Sequence, residues 1–327
     1  MGPLSGKRIV EIAGIGPGPF CAMLLADLGA EVVRVDRASA VPDIMPDSPN
    51  LDLLNRGRRS VGVNLKTPEG IETVLKLVQE SDALIEGFRP GVAERLGIGP
   101  EECLARNPKL IYGRMTGWGQ EGPLSSSAGH DINYIGLAGP LAHIGRNGHP
   151  PSVPLNLAGD FGGGSLFLIA GILAALVAVS NGNGGQIIDA AMVDGAAYLA
   201  SPLFSAYQSG FWSNQRGTNL LDSGAPFYDV YECKCGDFLA TGAIEPQFYK
   251  QLLMGLGFDP DEIPPQNNKE HWRETKDKFA ARFLTKRRSE WLKIFEGTDA
   301  CVSPVLNMGE SYPVSYTHLT LPTKRIV

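Results

Sequence analysis

Cysteine, positive charge and long apolar runs are all scarce in this sequence of 327 residues. The five cysteines are scattered except for Cys233 and Cys235, and this single C-x-C has no second pair at zinc spacing. We therefore expect free thiols in a reducing compartment, and no metal site. Residues 166–179 form an apolar run that is too short to span a bilayer, so it predicts a buried helix and no membrane partner. No targeting signal is readable, because the first residues lack a basic region followed by an apolar stretch.

The charge balance argues against a nucleic-acid partner. The net charge is −6, with 43% hydrophobic and 20% charged residues, which is ordinary for a soluble globular protein. What the chain has in excess is glycine, at 40 residues, which predicts tight turns and close approaches of the backbone to a ligand.

The first part of the chain predicts a parallel sheet. Residues 7–13 read as a buried strand, 14–19 as a glycine-rich turn, 20–28 as a helix and 31–36 as a second strand. A dinucleotide site is disfavoured, because the prolines at 17 and 19 remove backbone donors and the glycine spacing does not match G-x-G-x-x-G.

Further elements complete an α/β fold with two domains. We predict a large Rossmann-like domain over 1–210, a linker over 211–225 and a smaller α+β domain over 226–308. In the large domain we expect a long helix that starts near Asp160 and another over 192–207, with strands over 61–65, 83–87, 110–114 and 186–190. In the small domain we expect strands over 228–232, 238–243 and 301–306, and helices over 247–256, 270–284 and 289–296.

The last residues, 314–327, fit nothing before them. Their string resembles the translation of an adapter used in sequencing libraries. We expect this tail to be non-native, with the native reading ending at about Pro313. Resequencing of the transcript tests this expectation.

The residues suggest a proton-transfer site. His130 and Asp131 follow a Gly/Ser-rich loop, and Asp160 lies thirty residues further on at the predicted helix start. Imidazole, with an ordinary pKa of about 6.5, suits a base near neutrality, whereas a carboxyl group near 3.9 must be raised to exchange protons comparably. Apolar neighbours of Asp160 favour a raised pKa, and the helix N-terminus opposes it.

Other interpretations of these residues remain open at this stage. Asp160 could be only a helix N-cap, His130 a loop histidine and Asp131 the cap of the next turn. Glu245, before a proline, could be a helix-start carboxylate, and the basic turn at 56–59 a solvated edge. From the residues alone, the sequence predicts a Rossmann-like protein whose strand ends bind an anionic ligand.

Several strings together resemble the α-methylacyl-CoA racemases of the class III CoA-transferase superfamily. The resemblance runs from Leu4 to about Leu306 and rests on the strings LNRGRRS (54–60), GHDINY (129–134), PLNLAGD (154–160), GAPFY (224–228) and GAIEPQFY (242–249). It implies an intertwined homodimer, in which each active site lies between the large domain of one subunit and the small domain of the other.

The resemblance also implies a two-base reaction on 2-methylacyl-CoA. His130 would remove the proton of one epimer, and Asp160 would act from the opposite face. Glu245 would set the tautomer of His130, reaching it from the other subunit, and the backbone amide of Asp131 would hold the enolate oxygen. No cofactor is implied, because CoA is part of the substrate.

The implied CoA contacts follow the edge of the sheet at which the strands end. They are Arg37, Val63, Asn64, Leu65, Lys66, Gly87, Phe88, Arg89, Arg95, Gly129, His130, Asp131, Ile132, Asn133 and Tyr134. The resemblance further implies a role in fatty-acid and bile-acid metabolism, in mitochondria, peroxisomes or both.

Two alternatives accompany this interpretation. A class III CoA transferase would use Asp160 as a nucleophile that forms an acyl anhydride, but it would need no imidazole base at His130. An inactive CoA-binding product is the other alternative, because the altered C-terminal segment would normally return to the large domain.

Overall fold

The computed structural model describes residues 2–39 and 51–311. Of these residues, 2–39, 51–140 and 154–202 form one compact unit, and 141–153 and 203–311 form the other. These bounds differ from the predicted division at 1–210, 211–225 and 226–308, because the second unit starts earlier and takes in Leu141–Val153. The predicted non-native tail, 314–327, lies outside the described residues.

The first unit is built on a six-stranded parallel sheet with the order β3-β2-β1-β4-β5-β6. Its strands are β1 (Arg8–Ile12), β2 (Glu31–Arg37), β3 (Arg58–Val63), β4 (Ala83–Glu86), β5 (Ile111–Thr116) and β6 (Gln186–Ala191). The predicted Rossmann-like class is confirmed. Strand order reverses between β1 and β4, which opens a crevice at their carboxyl ends.

Helices cover both faces of this sheet. They are α1 (Pro17–Asp27), α2 (Pro68–Gln79), α3 (Val92–Arg95), α4 (Pro100–Arg106), α5 (Asp131–Ala138), a π-helix (Leu157–Ser165), α6 (Leu166–Ser180) and α7 (Met192–Leu199). Thr67 caps α2 by accepting a hydrogen bond from the amide of Gly70, as the sequence predicts. The single helix predicted over 192–207 is wrong: α8 (Ser201–Gln208) starts anew, because Pro202 has no N–H to continue the hydrogen bonding.

The sheet buries apolar side chains on both faces. Ile9 faces a cluster that includes Leu168 and Ile172 of α6, whereas Val10 faces a cluster that includes Val74 of α2. Each large apolar side chain buried in this way contributes about 1.5–3 kcal/mol. Two opposite core layers therefore hold the carboxyl ends of the strands in a fixed arrangement.

The helix that carries Asp160 starts earlier than predicted. Asn156 is its N-cap residue and Asp160 lies within the first turn, so the interpretation of Asp160 as an N-cap is wrong. The amides of Gly159 and Asp160, which lie in the first turn and have no acceptor within the helix, donate to the carboxylate of Asp131 in α5.

The continuous helix Leu157–Ser180 is the one helix in residues 2–39 and 51–311 that is long and apolar enough to cross a membrane. Its mean hydropathy is 2.2. One face packs into the core through residues such as Leu168 and Ile172, as expected of a buried helix. The other face leaves Leu166 and Val177 exposed.

Helix α7 contacts the π-helix backbone to backbone through glycines. A Cβ at Gly195 would overlap the carbonyl oxygen of Gly163, and a Cβ at Gly163 would lie 2.6 Å from the amide nitrogen of Ala196. Only glycine permits this approach. The contact holds the π-helix against α7 within three residues of Asp160.

We predict that Gly195→Ala destabilises the protein by about 1–3 kcal/mol, because the added methyl group overpacks this contact. Gly184→Ala is the matched control, since a Cβ there would meet its nearest neighbour, the carbonyl oxygen of Pro108, at an ordinary 3.6 Å. Chemical denaturation of both variants measures the difference. Equal stability of the two variants would contradict the role of the glycine contact.

The second unit contains a three-stranded antiparallel sheet with the order β7-β8-β9. Its strands are β7 (Tyr228–Glu232), β8 (Phe238–Gly242) and β9 (Val302–Val305), and its helices are α9 (Pro246–Leu256), α10 (Trp272–Phe283), α11 (Arg288–Phe295) and α12 (Met308–Ser311). Its core is aromatic, with Phe227, Phe279, Phe283 and Trp291 fully buried. The predicted small α+β fold is confirmed.

The segment predicted as a linker, 211–225, makes specific buried contacts within the second unit. The amide side chain of Asn219 is buried and donates to Asp222 Oδ2 at 2.7 Å. The amide of Gly217 donates to the same oxygen at 2.9 Å.

The prediction of free thiols agrees with the structure, in which all five cysteines are unpaired.

Candidate active site

The strand-order reversal holds a cavity of about 350 Å³ within the first unit. It is lined by the loop after β1, the loop after β4 and the start of α5, and its lining includes His130, Asp160, Arg89 and Tyr134. The structure therefore brings His130 and Asp160, which are far apart in sequence, to the same cavity. This is the position at which open parallel sheets bind ligands.

His130 is placed by the glycine before it. A Cβ at Gly129 would lie 2.7 Å from the ring of Tyr134 and 3.0 Å from Trp118, so the chain can pass this point only as glycine. The two rings pack edge to face with centroids 4.8 Å apart. His130 itself precedes α5 with an exposed side chain, and its amide donates to Asn133 Oδ1 at 3.1 Å. The imidazole can thus exchange protons with solvent or ligand.

Asp160 has a raised pKa, which answers the question that the sequence left open. Burial is the largest cause, the charge of Asp131 adds to it, and a hydrogen bond from Asn156 Nδ2 at 3.2 Å opposes it. Leu155 and Leu157 are exposed, so these two neighbours in sequence are not what buries the carboxyl group. The cavity wall does so instead. Gly16, for example, would place a Cβ 3.5 Å from Asp160 Oδ2.

The carboxylate of Asp131 binds the start of the π-helix and not the turn that follows Asp131 itself. It is buried, and its Oδ2 accepts hydrogen bonds from the amides of Gly159 at 2.6 Å and of Asp160 at 2.7 Å. The backbone amide of Asp131, which the sequence analysis expected to hold an oxyanion, is the first of α5 and has no acceptor within that helix.

Most of the residues predicted as CoA contacts line cavities at one edge of the sheet. A second cavity of about 690 Å³ is lined by Arg37, Val63, Asn64, Leu65, Lys66 and Phe88, among others. It shares Ile12 and Phe88 with the first cavity, so the two cavities adjoin each other.

The cations of the two cavities have no acidic partner among the described residues. Within residues 2–39 and 51–311, no acidic side chain forms an ion pair with Arg37, Lys66 or Arg89. Arginine and lysine side chains are common partners of phosphate groups in proteins.

Some predicted contacts lie elsewhere. Arg95 lines neither of these two cavities, and of the 129–134 stretch Asp131, Ile132 and Asn133 do not line them either. Glu245 belongs to the second unit, where it is exposed and precedes α9. Its pairing with His130 stays a prediction.

The arginines of the basic turn hold the edge of the sheet. Arg58 pairs with Glu11 and both side chains are buried, whereas Arg56 pairs with Asp27. Arg59 lies 3.4 Å from Glu31 and is exposed. The interpretation as a solvated edge therefore holds only for Arg59.

The described residues contain no group of three or more His, Cys, Asp or Glu side chains that could hold a metal ion. The cavity itself brings together an accessible imidazole, that of His130, and a carboxyl group with a raised pKa, that of Asp160.

Glu86 is a lining residue of the first cavity that the sequence analysis missed. It ends β4 and is almost fully buried, and its Oε2 accepts from the amide of Phe88 at 2.6 Å. Burial raises its pKa to about 7, although Arg114 lies 3.4 Å away. The available signal was an acid at the end of an otherwise apolar strand.

We predict that Glu86→Gln stabilises the protein at pH 8 but not at pH 5. The folded-state pKa is raised to about 7 from 4.5, so the wild type loses stability, by about 3 kcal/mol, as the pH rises between these values. Glutamine keeps the acceptor for Phe88. Thermal unfolding at both pH values measures the effect, with Glu101→Gln, an exposed position in α4, as control. A difference between Glu86→Gln and wild type that does not depend on pH would contradict this assignment.

The fold and the adjoining cavities define a class of α/β protein that carries cations along the edge of the sheet and acid–base groups at the strand-order reversal. The sequence model of CoA-transferase family III matches residues 4–318, and the chain belongs to this family.

The chain is also similar to individual proteins of known name. The chain is 49% identical to the α-methylacyl-CoA racemase of Mus musculus, over 94% of this chain and 79% of that protein. It is 30% identical to the succinyl-CoA:glutarate CoA-transferase of Homo sapiens, over 94% of this chain and 72% of that protein. The crystal structure of a CAIB/BAIF family protein from Brucella suis superimposes with a TM-score of 0.81 at 24% identity, covering 96% of this chain and 86% of that one. The last likeness concerns the fold alone.

Proposed function

We propose that the protein is an α-methylacyl-CoA racemase that interconverts (2R)- and (2S)-2-methylacyl-CoA by two-base proton transfer. The observation that carries this proposal is that His130 and Asp160 line one cavity, which adjoins a second cavity with Arg37 and Lys66. The 49% identity to the mouse racemase supports the same reaction.

In the proposed reaction, the bond between C2 and its hydrogen breaks and His130 takes the proton. The electron pair of that bond forms the C1–C2 double bond of an enolate, whose oxygen accepts from the amide of Asp131. Asp160, in its acid form, then gives a proton to C2 from the opposite face. The reverse reaction starts from Asp160 as the base. The raised pKa of Asp160 supports this role, because it brings the acid closer to an imidazole in proton affinity.

The phosphates of CoA would bind along the sheet edge. Arg37 and Lys66 are the cations of the larger cavity, and Arg89 is the cation of the cavity with the two bases. Phe88 lines both cavities, so a ligand that extends from one cavity into the other would pass this side chain. The proposed reaction uses no further cofactor, since CoA is part of the substrate.

We predict that each pure 2-methylacyl-CoA epimer, incubated with the enzyme in D2O, gains deuterium at C2 and converges to a mixture of epimers. His130→Ala and Asp160→Ala should each lower racemisation by at least about 100-fold, because each removes one of the two bases. His149→Ala, an exposed histidine outside both cavities, is the control.

Other outcomes would point to other functions. Transfer of CoA to an added carboxylate without exchange at C2 would replace the racemase by a CoA transferase with Asp160 as nucleophile. Binding of CoA without either reaction would indicate an inactive CoA-binding product. Near-full racemisation by either single variant would contradict the two-base assignment.

The proposed assembly is a homodimer in which Glu245 of one subunit fixes the tautomer of His130 in the other. The exposed apolar side chains Leu166 and Val177 of α6, together with Tyr198 and Leu199 of α7, support a second copy as their cover. The cellular compartment proposed is mitochondrial, peroxisomal or both, in fatty-acid and bile-acid metabolism. Fractionation of cells with an antibody against the protein tests the compartment.

We predict that His130→Ala and Glu245→Ala, each inactive alone, restore about a quarter of the wild-type activity when they are refolded together. Half of the random dimers are mixed, and each mixed dimer has one intact site of two. The control pair, His130→Ala with Asp160→Ala, should restore nothing, since both residues lie in the first unit. Activity in the control pair, or its absence in the test pair, would contradict a shared site.

A further inference from the structure

The carboxylate of Asp131 has a place that the proposed reaction does not explain. The residue follows His130 directly, and its side chain is buried rather than aimed at the ligand. Its Oδ2 accepts two short hydrogen bonds, one from the amide of Gly159 and one from the amide of Asp160, across nearly thirty residues of sequence. One side chain thus connects the two segments that carry the bases.

We propose that Asp131 is a positioning residue for proton transfer, whose carboxylate holds the peptide of Asp160 at a fixed place relative to His130. This inference rests on the proposed racemase function. It differs from the role of the Asp131 backbone amide, because the amide and the carboxylate of this residue serve different partners.

The segment that carries Asp160 needs such an anchor. It is a π-helix, a rare form, and it contains four glycines in its nine residues. Glycine leaves a backbone free to move, so the local sequence does not fix this turn. The amides of Gly159 and Asp160 belong to the first helical turn, where helices lack internal acceptors. A charged acceptor at 2.6–2.7 Å binds both of them.

The packing around this contact fits the same role. A Cβ at Gly159 would lie 2.7 Å from Asp131 Oδ2, so glycine is required for the carboxylate to approach. At the other end of the π-helix, the hydroxyl of Ser165 donates to the carbonyl oxygen of Pro17 at 2.8 Å. The π-helix is therefore held at both ends by side chains rather than by its own sequence preference.

The charge of Asp131 has a second effect on Asp160. It adds to burial in raising the pKa of Asp160, because two like charges repel. The other titratable or charged side chains of this cavity are His130, Tyr134, Glu86 and Arg89. Removing the charge of Asp131 should therefore lower the pH at which Asp160 takes up a proton.

The test uses exchange at C2 in D2O, measured separately for each epimer. A base can exchange the proton on its own side without inversion, so the two epimers report on the two bases separately. Asp131→Ala should slow racemisation and the exchange of the epimer facing Asp160 on the order of 100-fold, as displacement of a catalytic group does. Exchange of the epimer facing His130 should remain, because the backbone amide of Asp131 is still present.

Asp131→Asn keeps an oxygen acceptor and removes the charge. We expect it to rescue most of the loss of rate and to shift the acidic limb of the pH–rate profile on the Asp160 side to lower pH. Asp194→Ala, at an exposed acid in the first turn of α7, is the matched control and should leave both exchange rates unchanged. Circular dichroism of each variant checks that the fold is retained.

The outcomes separate this inference from the function on which it rests. If the wild type shows no exchange at C2 for either epimer, the proposed function fails. If the wild type exchanges but Asp131→Ala slows both epimers equally, or neither, then the positioning role is wrong and the racemase function stands.

Discussion

The site depends on the reversal of strand order between β1 and β4. Parallel strands bring their carboxyl ends to one edge, and the loops after these two strands diverge at the reversal, which leaves a crevice that no side chain of the sheet fills. The loop after β1 brings Gly16 toward Asp160, and the loop after β4 brings Arg89 to the same cavity. The two-layer core holds both loops where they leave the sheet.

A second constraint acts on the residues that enter this crevice from elsewhere. Neither His130 nor Asp160 follows a strand end directly, and each is delivered by a segment with little structural preference of its own. Gly129 and Gly159 are required because the neighbouring atoms leave no room for a Cβ. Glycine permits these close approaches but does not enforce them. Enforcement comes from buried polar contacts and from the rings of Trp118 and Tyr134.

Much of the fold could be predicted from the sequence, because its signals are local. The alternation of apolar strands, glycine turns and helices gave the parallel sheet, and Thr67 before Pro68 gave the start of α2. The bounds of the second unit could not be predicted, because Leu141–Val153 joins it through contacts far along the chain. The turn at 211–225 reads as a linker in sequence, although Asn219 and Asp222 make it compact.

The sequence could name candidate site residues but not their environment. The family resemblance named His130 and Asp160, and their common cavity is consistent with that pair. What sequence could not give was the source of the burial that raises the pKa of Asp160, since Leu155 and Leu157 turned out to be exposed. Part of the wall against Asp160 is Gly16, which is far from it in sequence. The place of Glu86 at the end of an apolar strand was readable in the sequence, but the burial that raises its pKa comes from the tertiary fold.

The π-helix shows why the environment of Asp160 costs stability. A glycine-rich helix start is a weak element, and it leaves amides that another residue must bind. A buried carboxylate at Asp131 meets this need, but its other oxygen has no hydrogen-bond partner among the described residues, which is itself unfavourable. An alanine-rich α-helix with an ordinary cap would be more stable. It would also carry Cβ atoms where Gly159 and Gly163 now allow Asp131 and α7 to approach, so the more stable helix could not hold Asp160 in this cavity.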